Sequence, residues 1–380
     1  MVAGLRVLLV SDWFPDGPDD PAGSFVRAQA LAVARAHEVV VLHLRDGAAG
    51  EGRPHLEDAR DGPLRLLRVR SGLPHVPRTA LSAWAVVAAL RRLRRAGFDP
   101  DLLHAHEPGA GLAALVGARR PRRPVVVSEH ASALALGEVR GAGLRVARIA
   151  LSRADLVCPV SDVLRDALAA QGLGRRFRVV PNPVDTDRFA PGAAPAGGPP
   201  PIVAVANLVP VKGVAELVEA AGLLAARGAE FRLDLVGDGP ERERLAARAV
   251  ALGLGERLVL HGALPVERVA ALMREAAFAV VPSRYETFSV VVSEALASGL
   301  PVVATATGAL PSRIHAGNGL LCPPRDPAAL AAAMERMLAG HGAYDRTAIA
   351  AAVRDELSPE AIAGRWSAIY AELSEAIRRS

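Results

Sequence analysis

The chain has 380 residues, 51% of them apolar and 22% charged, with a formal net charge of +5; this allows two or three well-packed domains and argues against extensive disorder. Two cysteines, Cys158 and Cys322, argue against a disulfide framework. No signal-peptide pattern opens the sequence and no run approaches the roughly 20 apolar residues of a membrane span, so a cytoplasmic protein is expected.

Charge is uneven along the chain. Residues 1–190 hold 27 arginines against 20 Asp and Glu, a balance of +7, whereas the remainder is −2. A basic half suits nucleic acid, a membrane surface or an anionic acceptor. The chain carries no recognisable nucleic-acid module and only 4% aromatic residues for base stacking, which sets nucleic acid aside.

In chain order, residues 6–10 (RVLLV) read as a buried parallel strand. A loop rich in Asp, Pro and Gly leads to a helix over 24–36 and a strand over 37–42. Strand, loop, helix and strand open a doubly wound α/β fold, whose ligands sit at the carboxyl ends of strands. Gly23 is therefore either near a ligand or an ordinary glycine ahead of a helix. Residues 47–80 are polar with one strand, at 64–69. A helix over 80–96 ends in Arg91, Arg92, Arg94 and Arg95. With Arg119, Arg120, Arg122 and Arg123 these are either solvated or form a basic face for peripheral contact with an anionic membrane. Strands at 101–105 and 124–128 end in His106-Glu107 and Glu129-His130. A lone histidine is usually structural, but His130, just past a strand's carboxyl end, is a site candidate. His104 and His106 have metal-like spacing without accompanying ligands.

Residues 154–161 and 178–180 lead to Pro181-Asn182-Pro183-Val184-Asp185. Segment 191–201 (PGAAPAGGPPP) contains only Pro, Gly and Ala and reads as a linker. The expected domains are 1–190 and 202–357, followed by a helix over 358–380 with an apolar stripe of Ile362, Trp366, Ile369 and Leu373. The second series starts with a strand at 202–206 and the loop 207–213 (NLVPVKG). Lys212 is the only lysine among 45 basic residues. It is either a compositional accident or a site that wants a compact ammonium. Gly237-Asp238-Gly239-Pro240 lacks the third glycine of a dinucleotide fingerprint.

Residues 278–300 carry the chemistry. A strand at 278–281 runs into a polar loop, 282–289, and a helix over 290–298, with Glu286 in the loop and Glu294 in the helix. Ser289 is the expected N-cap, and the N–H groups behind it would attract phosphate. Helical side chains lean toward the N-terminus, so Glu294 could accept hydroxyls of a ribose while Glu286 reaches another polar group. Two solvated glutamates are the bland alternative.

This stretch resembles the Glu-x7-Glu motif of retaining GT-B glycosyltransferases of glycosyltransferase family 4, P-S-x-x-E-[GST]-F-G-x-x-x-x-E-A-x-A-x-G. Every position matches except one, where Ser289 replaces glycine. The resemblance extends from Leu5 to about Leu373, through VVVSEHAS, the V-x-P-N-G-V-D-like stretch with Pro183 for glycine, and a G-R-L-x-x-x-K-G-like loop with Asn207 for arginine. It implies an α/β protein of GT-B architecture, two Rossmann-like doubly wound domains facing a central cleft. The first would be the acceptor side and the second the nucleotide-sugar side, with the last helix crossing back to the first. A sugar would pass to an acceptor hydroxyl with retention, in polysaccharide, glycolipid or other glycoconjugate synthesis, on a saccharide or lipid-linked acceptor. The resemblance gives Glu286 and His130 the donor sugar, Glu294 the ribose, and Lys212 (with Asn207) the diphosphate. The backbone of Thr287, Phe288, Ser289 and Val290 would face diphosphate and sugar, that of Leu264 the base, and Gly23 the diphosphate or acceptor. No metal or other cofactor is expected. A nucleotide-sugar epimerase and a non-catalytic nucleotide-binding protein are the alternatives.

Overall fold

The computed structural model describes residues 4–17, 20, 22–44, 53–70, 78–119, 121–192 and 197–379. The chain divides into two compact units, Met1–Pro183 with Pro359–Ser380, and Val184–Ser358.

Unit 1 is a seven-stranded sheet of β1 (Arg6–Ser11), β2 (Glu38–His43), β3 (His55–Asp61), β4 (Leu64–Arg70), β5 (Leu102–His106), β6 (Val125–Glu129) and β7 (Leu156–Pro159), in the order β3-β4-β2-β1-β5-β6-β7. All pairs are parallel except β3–β4. The parallel strands are short continuous apolar runs because helices cover both faces. Among those helices are α1 (Ser24–Ala34), α2 (Arg78–Arg95) and α3 (Glu107–Gly117). The C-terminal helix, Pro359–Arg378, packs on α1 and buries Ile362, Trp366, Ile369, Tyr370 and Leu373. Under it, His104 lies wholly buried between the Tyr370 hydroxyl (2.6 Å from Nδ1) and Ser128 Oγ (2.8 Å from Nε2). His104 is a satisfied core residue, and its spacing to His106 is a by-product of strand alternation.

Strand β3 escapes the sequence reading, which expects only one strand between 47 and 80. Its residues, HLEDARD, show no apolar alternation because it is an exposed edge strand. It is held by the hairpin ladder through Gly62 and by cross-strand ion pairs, Arg70–Glu57 (2.7 Å) and Arg65–Asp58 (3.1 Å).

The arginine clusters are partly paired. Arg92 pairs with Asp58, Arg94 with Asp99 (3.0 Å), and Arg122 with Asp155 (2.6 Å). Arg123 is buried against Asp99 and the Pro100 carbonyl. These arginines tie α2 and the strand ends together and are not displayed as a free cationic surface. Arg120 lies outside the described residues.

Unit 2 is a six-stranded, wholly parallel sheet of β8 (Pro201–Val205), β9 (Arg232–Val236), β10 (Leu258–Gly262), β11 (Phe278–Val281), β12 (Val302–Thr305) and β13 (Gly319–Cys322), ordered β10-β9-β8-β11-β12-β13. Phe231, Phe278, Leu217, Leu224, Leu233 and Met334 fill its core. Each such large apolar side chain contributes about 1.5–3 kcal/mol by leaving water. The order reverses beside β8, between β9 and β11, and this is where a doubly wound sheet opens a crevice for ligands.

The domain boundary differs from the expectation at 191–201. Unit 2 begins at Val184, so the 185–189 motif belongs to it. Val184 N–H donates to the Leu357 carbonyl (2.9 Å), Arg354 donates to the Thr186 carbonyl (2.7 Å), and Arg274 donates to the Arg188 carbonyl (3.0 Å). Phe189 is buried, and a Cβ at Gly192 would lie 2.8 Å from Arg274 Cβ. Proline and glycine content marked a sharp-turning segment, but hydrogen bonding anchors the chain earlier. Residues 193–196 of the expected linker lie outside the described residues.

Candidate active site

Five loops meet at the carboxyl end of the unit 2 sheet, and close backbone contacts lock them. Gly213 has φ +65, and a Cβ there would stand 2.0 Å from the Pro282 carbonyl oxygen. A Cβ at Gly308 would stand equally close, 2.0 Å, to the Glu286 carbonyl oxygen. Neither position admits a side chain, so the 207–213 and 305–309 loops clasp the 282–289 loop from both sides. Arg284 N–H donates to the Val211 carbonyl (2.8 Å) and Ala309 N–H to the Glu286 carbonyl (2.9 Å). On the far side, Leu208 N–H donates to the Asp238 carbonyl (2.8 Å), fixing the Asn207 loop on the turn after β9.

The clasp brings Lys212 and Glu286 together, Nζ to Oε1 2.7 Å. Ser283 Oγ donates to the same carboxylate oxygen at 2.7 Å. Thr305 and Thr307 hydroxyls hold the backbone carbonyls of Ser283 and Arg284 (2.5 and 2.9 Å). Glu286 is therefore oriented by a charge-assisted pair and a hydroxyl before any ligand arrives. Sequence reasoning gave no site role to Ser283, Thr305, Thr307 or Gly308; Ser283 sits inside the quoted motif, Thr305 ends β12, and Thr307 and Gly308 follow it.

The helix Val290–Ala297 starts at this clasp. Ser289 is its N-cap, as expected, with Oγ accepting from Val292 N–H (3.4 Å). It does so at φ 64, ψ 92, a region sparsely populated by any residue with a side chain. The serine thus adopts the positive φ that the family's glycine allows, and adds a side-chain cap. Val290 and Val291 supply first-turn N–H groups. Phe288 is buried under the Arg313 guanidinium, 4.9 Å from ring centroid to Cζ, while Thr287 is half-buried. Glu294 follows one turn in. Burial pushes its carboxyl up to about 8, with the Arg188 charge pulling the other way, and it forms no ion pair among the described residues. A carboxyl kept so costly is suited to accepting hydrogen bonds from hydroxyls that replace its water.

Other candidates are placed less decisively. Asn207 is exposed at the start of its loop. Leu264 is half-buried just past β10, after Gly262, whose carbonyl accepts from Gly237 N–H (2.8 Å). Gly23 and His130 belong to unit 1. A Cβ on Gly23 would lie 2.6 Å from the Trp13 carbonyl carbon, so packing of the β1 loop alone requires glycine there. His130 Nε2 lies 3.0 Å from His106 Nδ1, and its ring lies 4.6 Å from that of Phe25, tilted by 48°. Burial lowers His130 to about 3, so it presents a neutral imidazole.

The arrangement offers a cation, a helix N-terminus and two carboxylates on one sheet end, which suits a phosphate next to a polyhydroxylated group. Comparison with known proteins agrees. Residues 22–188 match the family model described as Glycosyltransferase Family 4, and residues 185–354 the model described as Glycosyl transferases group 1. The 2-deoxystreptamine glucosyltransferase of Streptomyces kanamyceticus is 32% identical over 82% of this chain and 89% of its own length. The GDP-mannose-dependent alpha-mannosyltransferase of Mycobacterium tuberculosis is 34% identical over 81% of this chain and 80% of its own. Sucrose-phosphate synthase from Thermosynechococcus elongatus shares the fold at TM-score 0.78 and 24% identity, over 98% of this chain and all of that one. Two Rossmann-like sheets, each built on parallel strands apart from the β3–β4 pair, a locked Glu286–Lys212 pair and these matches together place the chain in glycosyltransferase family 4, and it is a GT-B glycosyltransferase.

Proposed function

We propose that the protein transfers a hexose from a nucleotide-sugar donor, held at the carboxyl end of the unit 2 sheet, to an acceptor hydroxyl with retention of anomeric configuration. The observation that carries this reading is the Lys212–Glu286–Ser283 cluster set against the Ser289-capped helix. Departure of a nucleoside diphosphate builds negative charge, and preorganised positive groups at that point lower the barrier. Lys212 and the helix N-terminus supply them, with Lys212 exchanging part of its contact with Glu286 for phosphate oxygen. Glu294 takes the ribose hydroxyls, Glu286 orients the donor sugar, and the backbone near Leu264 meets the base. Relatives named for glucosyl and mannosyl transfer support a hexose.

Because the chain itself meets the diphosphate charge, turnover is expected to proceed without a divalent metal and to be unchanged by EDTA. The decisive experiment incubates UDP-, GDP- and ADP-hexoses with and without saccharide acceptors. Acceptor-dependent release of nucleoside diphosphate, with the product's anomeric configuration unchanged by NMR, supports the proposal. Conversion of the donor sugar without acceptor would make the protein an epimerase, and binding without turnover a non-catalytic member.

A lipid-linked acceptor at an anionic membrane is a second reading, favoured by exposed Arg91, Arg95 and Arg119. No helix among the described residues is long and apolar enough to cross a membrane, so contact would be peripheral. Sedimentation with anionic vesicles at low salt tests it; equal recovery with neutral vesicles removes it.

A further inference from the structure

Ser289 sits at φ 64, ψ 92. A residue with a side chain keeps such torsions only where its surroundings over-determine them. After Ser289, its own Oγ accepts from Val292 N–H (3.4 Å) and its carbonyl from Ser293 N–H (3.3 Å), which ties it to the helix it starts. Before it, Lys212 and Ser283 hold the Glu286 carboxylate, and Ala309 N–H holds the Glu286 carbonyl. Between these anchors lies Phe288, buried, whose side chain has no polar atom to be held by.

Arg313 meets that ring. Its Cζ stands 4.9 Å from the Phe288 ring centroid, in cation–π contact. The arginine is itself fixed from behind. Its N–H donates to the Leu310 carbonyl (3.0 Å), closing the short turn Leu310–Ser312. Its carbonyl accepts from Asn318 Nδ2 (2.9 Å). Buried Asn318 accepts in turn from His315 N–H at its side-chain oxygen (2.8 Å) and from Val302 N–H at its carbonyl (3.0 Å). Contacts thus run without a break from β12 through Asn318 and Arg313 to Phe288.

The guanidinium finds no oxygen. Among the described residues it makes neither an ion pair nor a hydrogen bond, and its Nε is buried without a partner. Other arginines of unit 2 are better served. Arg188 pairs with Asp185 (3.4 Å) and Arg284 with Glu216 (2.7 Å), while Arg274 and Arg346 donate to the carbonyls of Arg188 and Ala276 (3.0 and 3.2 Å). Burial lowers the Arg313 guanidinium from its ordinary value, and the charge of exposed Glu356 offsets only part of this. A methionine or leucine would cover Phe288 without the cost of an unpaired, poorly solvated cation. A cation kept at that cost points to a task that apolar packing does not perform. A guanidinium stacks on an aromatic face as a rigid plane, whereas an unbranched thioether chain adapts to many arrangements.

We infer that Arg313 is a positioning residue for the donor site: its guanidinium clamps the Phe288 ring and so holds Ser289 and the start of the helix Val290–Ala297 in place. Its part in turnover rests on the proposed donor reading. The clamp itself is measurable with no donor present.

The test compares Arg313→Met and Arg313→Lys with the parent, all as the full chain. Without ligand, hydrogen exchange at the Val292 and Ser293 amides should be about tenfold faster in Arg313→Met, with the helix Pro327–Gly340 unchanged. Arg313→Lys keeps a cation on the ring and should lie closer to the parent. The melting temperature of Arg313→Met should be at or above that of the parent, because an unpaired cation has been removed. With a donor and acceptor that the parent turns over, kcat should fall about tenfold in Arg313→Met and less in Arg313→Lys, with donor KM little changed. In a Phe288→Leu background, Arg313→Met should lower kcat no further, since the ring it acts through is gone. Unaltered exchange at Val292 and Ser293, Arg313→Lys behaving as Arg313→Met, or the full loss of kcat persisting in Phe288→Leu overturns the inference. So does a lower melting temperature or a failure to fold in Arg313→Met, which would make packing the role. A parent that binds none of UDP, GDP and ADP sinks the donor reading and leaves the clamp to the exchange data. A parent that turns over, with exchange unmoved in Arg313→Met, sinks the clamp alone.

Discussion

Burial raises the Glu294 carboxyl to about 8 from its ordinary value of 4.5, so the folded protein holds this proton across a window where the unfolded chain has lost it. In that window the folded state binds more protons, and stability falls as pH rises from about 4.5 to about 8, by at most about 1.4 kcal/mol per pH unit. Glu294→Gln removes this slope. The variant should gain thermal stability over the parent at pH 8 and show no gain at pH 4.5; a constant difference across that range would mean the carboxyl is solvated. Lys212 makes a different point at the same scale. An ammonium approaches phosphate oxygens from several directions, whereas a guanidinium needs a planar, bidentate approach. With Gly213 pressed against the Pro282 carbonyl, the loop cannot shift to seat the larger group. Lys212→Ala should cost about 2–4 kcal/mol in turnover, by analogy with loss of a charge-stabilising donor, and Lys212→Arg should recover only part. Loss should fall on turnover more than on donor binding, because the diphosphate gains charge in the transition state. Full turnover in Lys212→Arg would show that charge alone suffices.

Among the elements, the helix Val290–Ala297 is the one whose start decides the site. Ser289 combines a strained backbone with a cap, and the two contributions oppose each other. Glycine would relieve a strain of about 1 kcal/mol or more and lose only a few tenths from the cap, besides some unfolded-state entropy. Alanine would keep the strain and lose the cap, about 1 kcal/mol. The expected order in denaturant unfolding is therefore glycine at or above serine, and serine above alanine. Alanine matching glycine would contradict the torsion described here. The loops that flank this helix are rigid for a related reason: Gly213 and Gly308 give up side chains so that backbones can touch. That rigidity holds Glu286 in place on a loop, where side chains are ordinarily mobile.

On the scale of the molecule, much was legible because the parallel strands are buried on both faces and read as uninterrupted apolar runs. β1, β6 and β11 are of this kind, while β5 is interrupted by His104. The exposed edge strand β3 was not legible, since its order comes from pairing and ion pairs and not from burial. Composition located a turn-rich segment at 191–201, but the unit boundary lies at Val184 because of backbone hydrogen bonds to Leu357, Arg354 and Arg274, whose positions no local pattern reveals. The arginine runs read as either solvated or a basic face, and which of them are paired was not legible, because the partners Asp58, Asp99 and Asp155 lie elsewhere in the chain and only folding brings them close. In the candidate site, Glu286, Lys212 and Ser289 stood out by spacing and rarity. Ser283, Thr305 and Gly308, common residue types, gained meaning only through contact.

The central claim is that unit 2 holds the donor through its nucleoside diphosphate, with Glu294 on the ribose. Calorimetric titration of the full chain with UDP, GDP and ADP tests it most directly, alongside Glu294→Gln. At least one nucleotide should bind, and Glu294→Gln should weaken that binding by about 0.5–1.5 kcal/mol, as for a hydrogen bond between uncharged groups. No binding of any of the three, or an affinity unaltered in folded Glu294→Gln, would contradict the account.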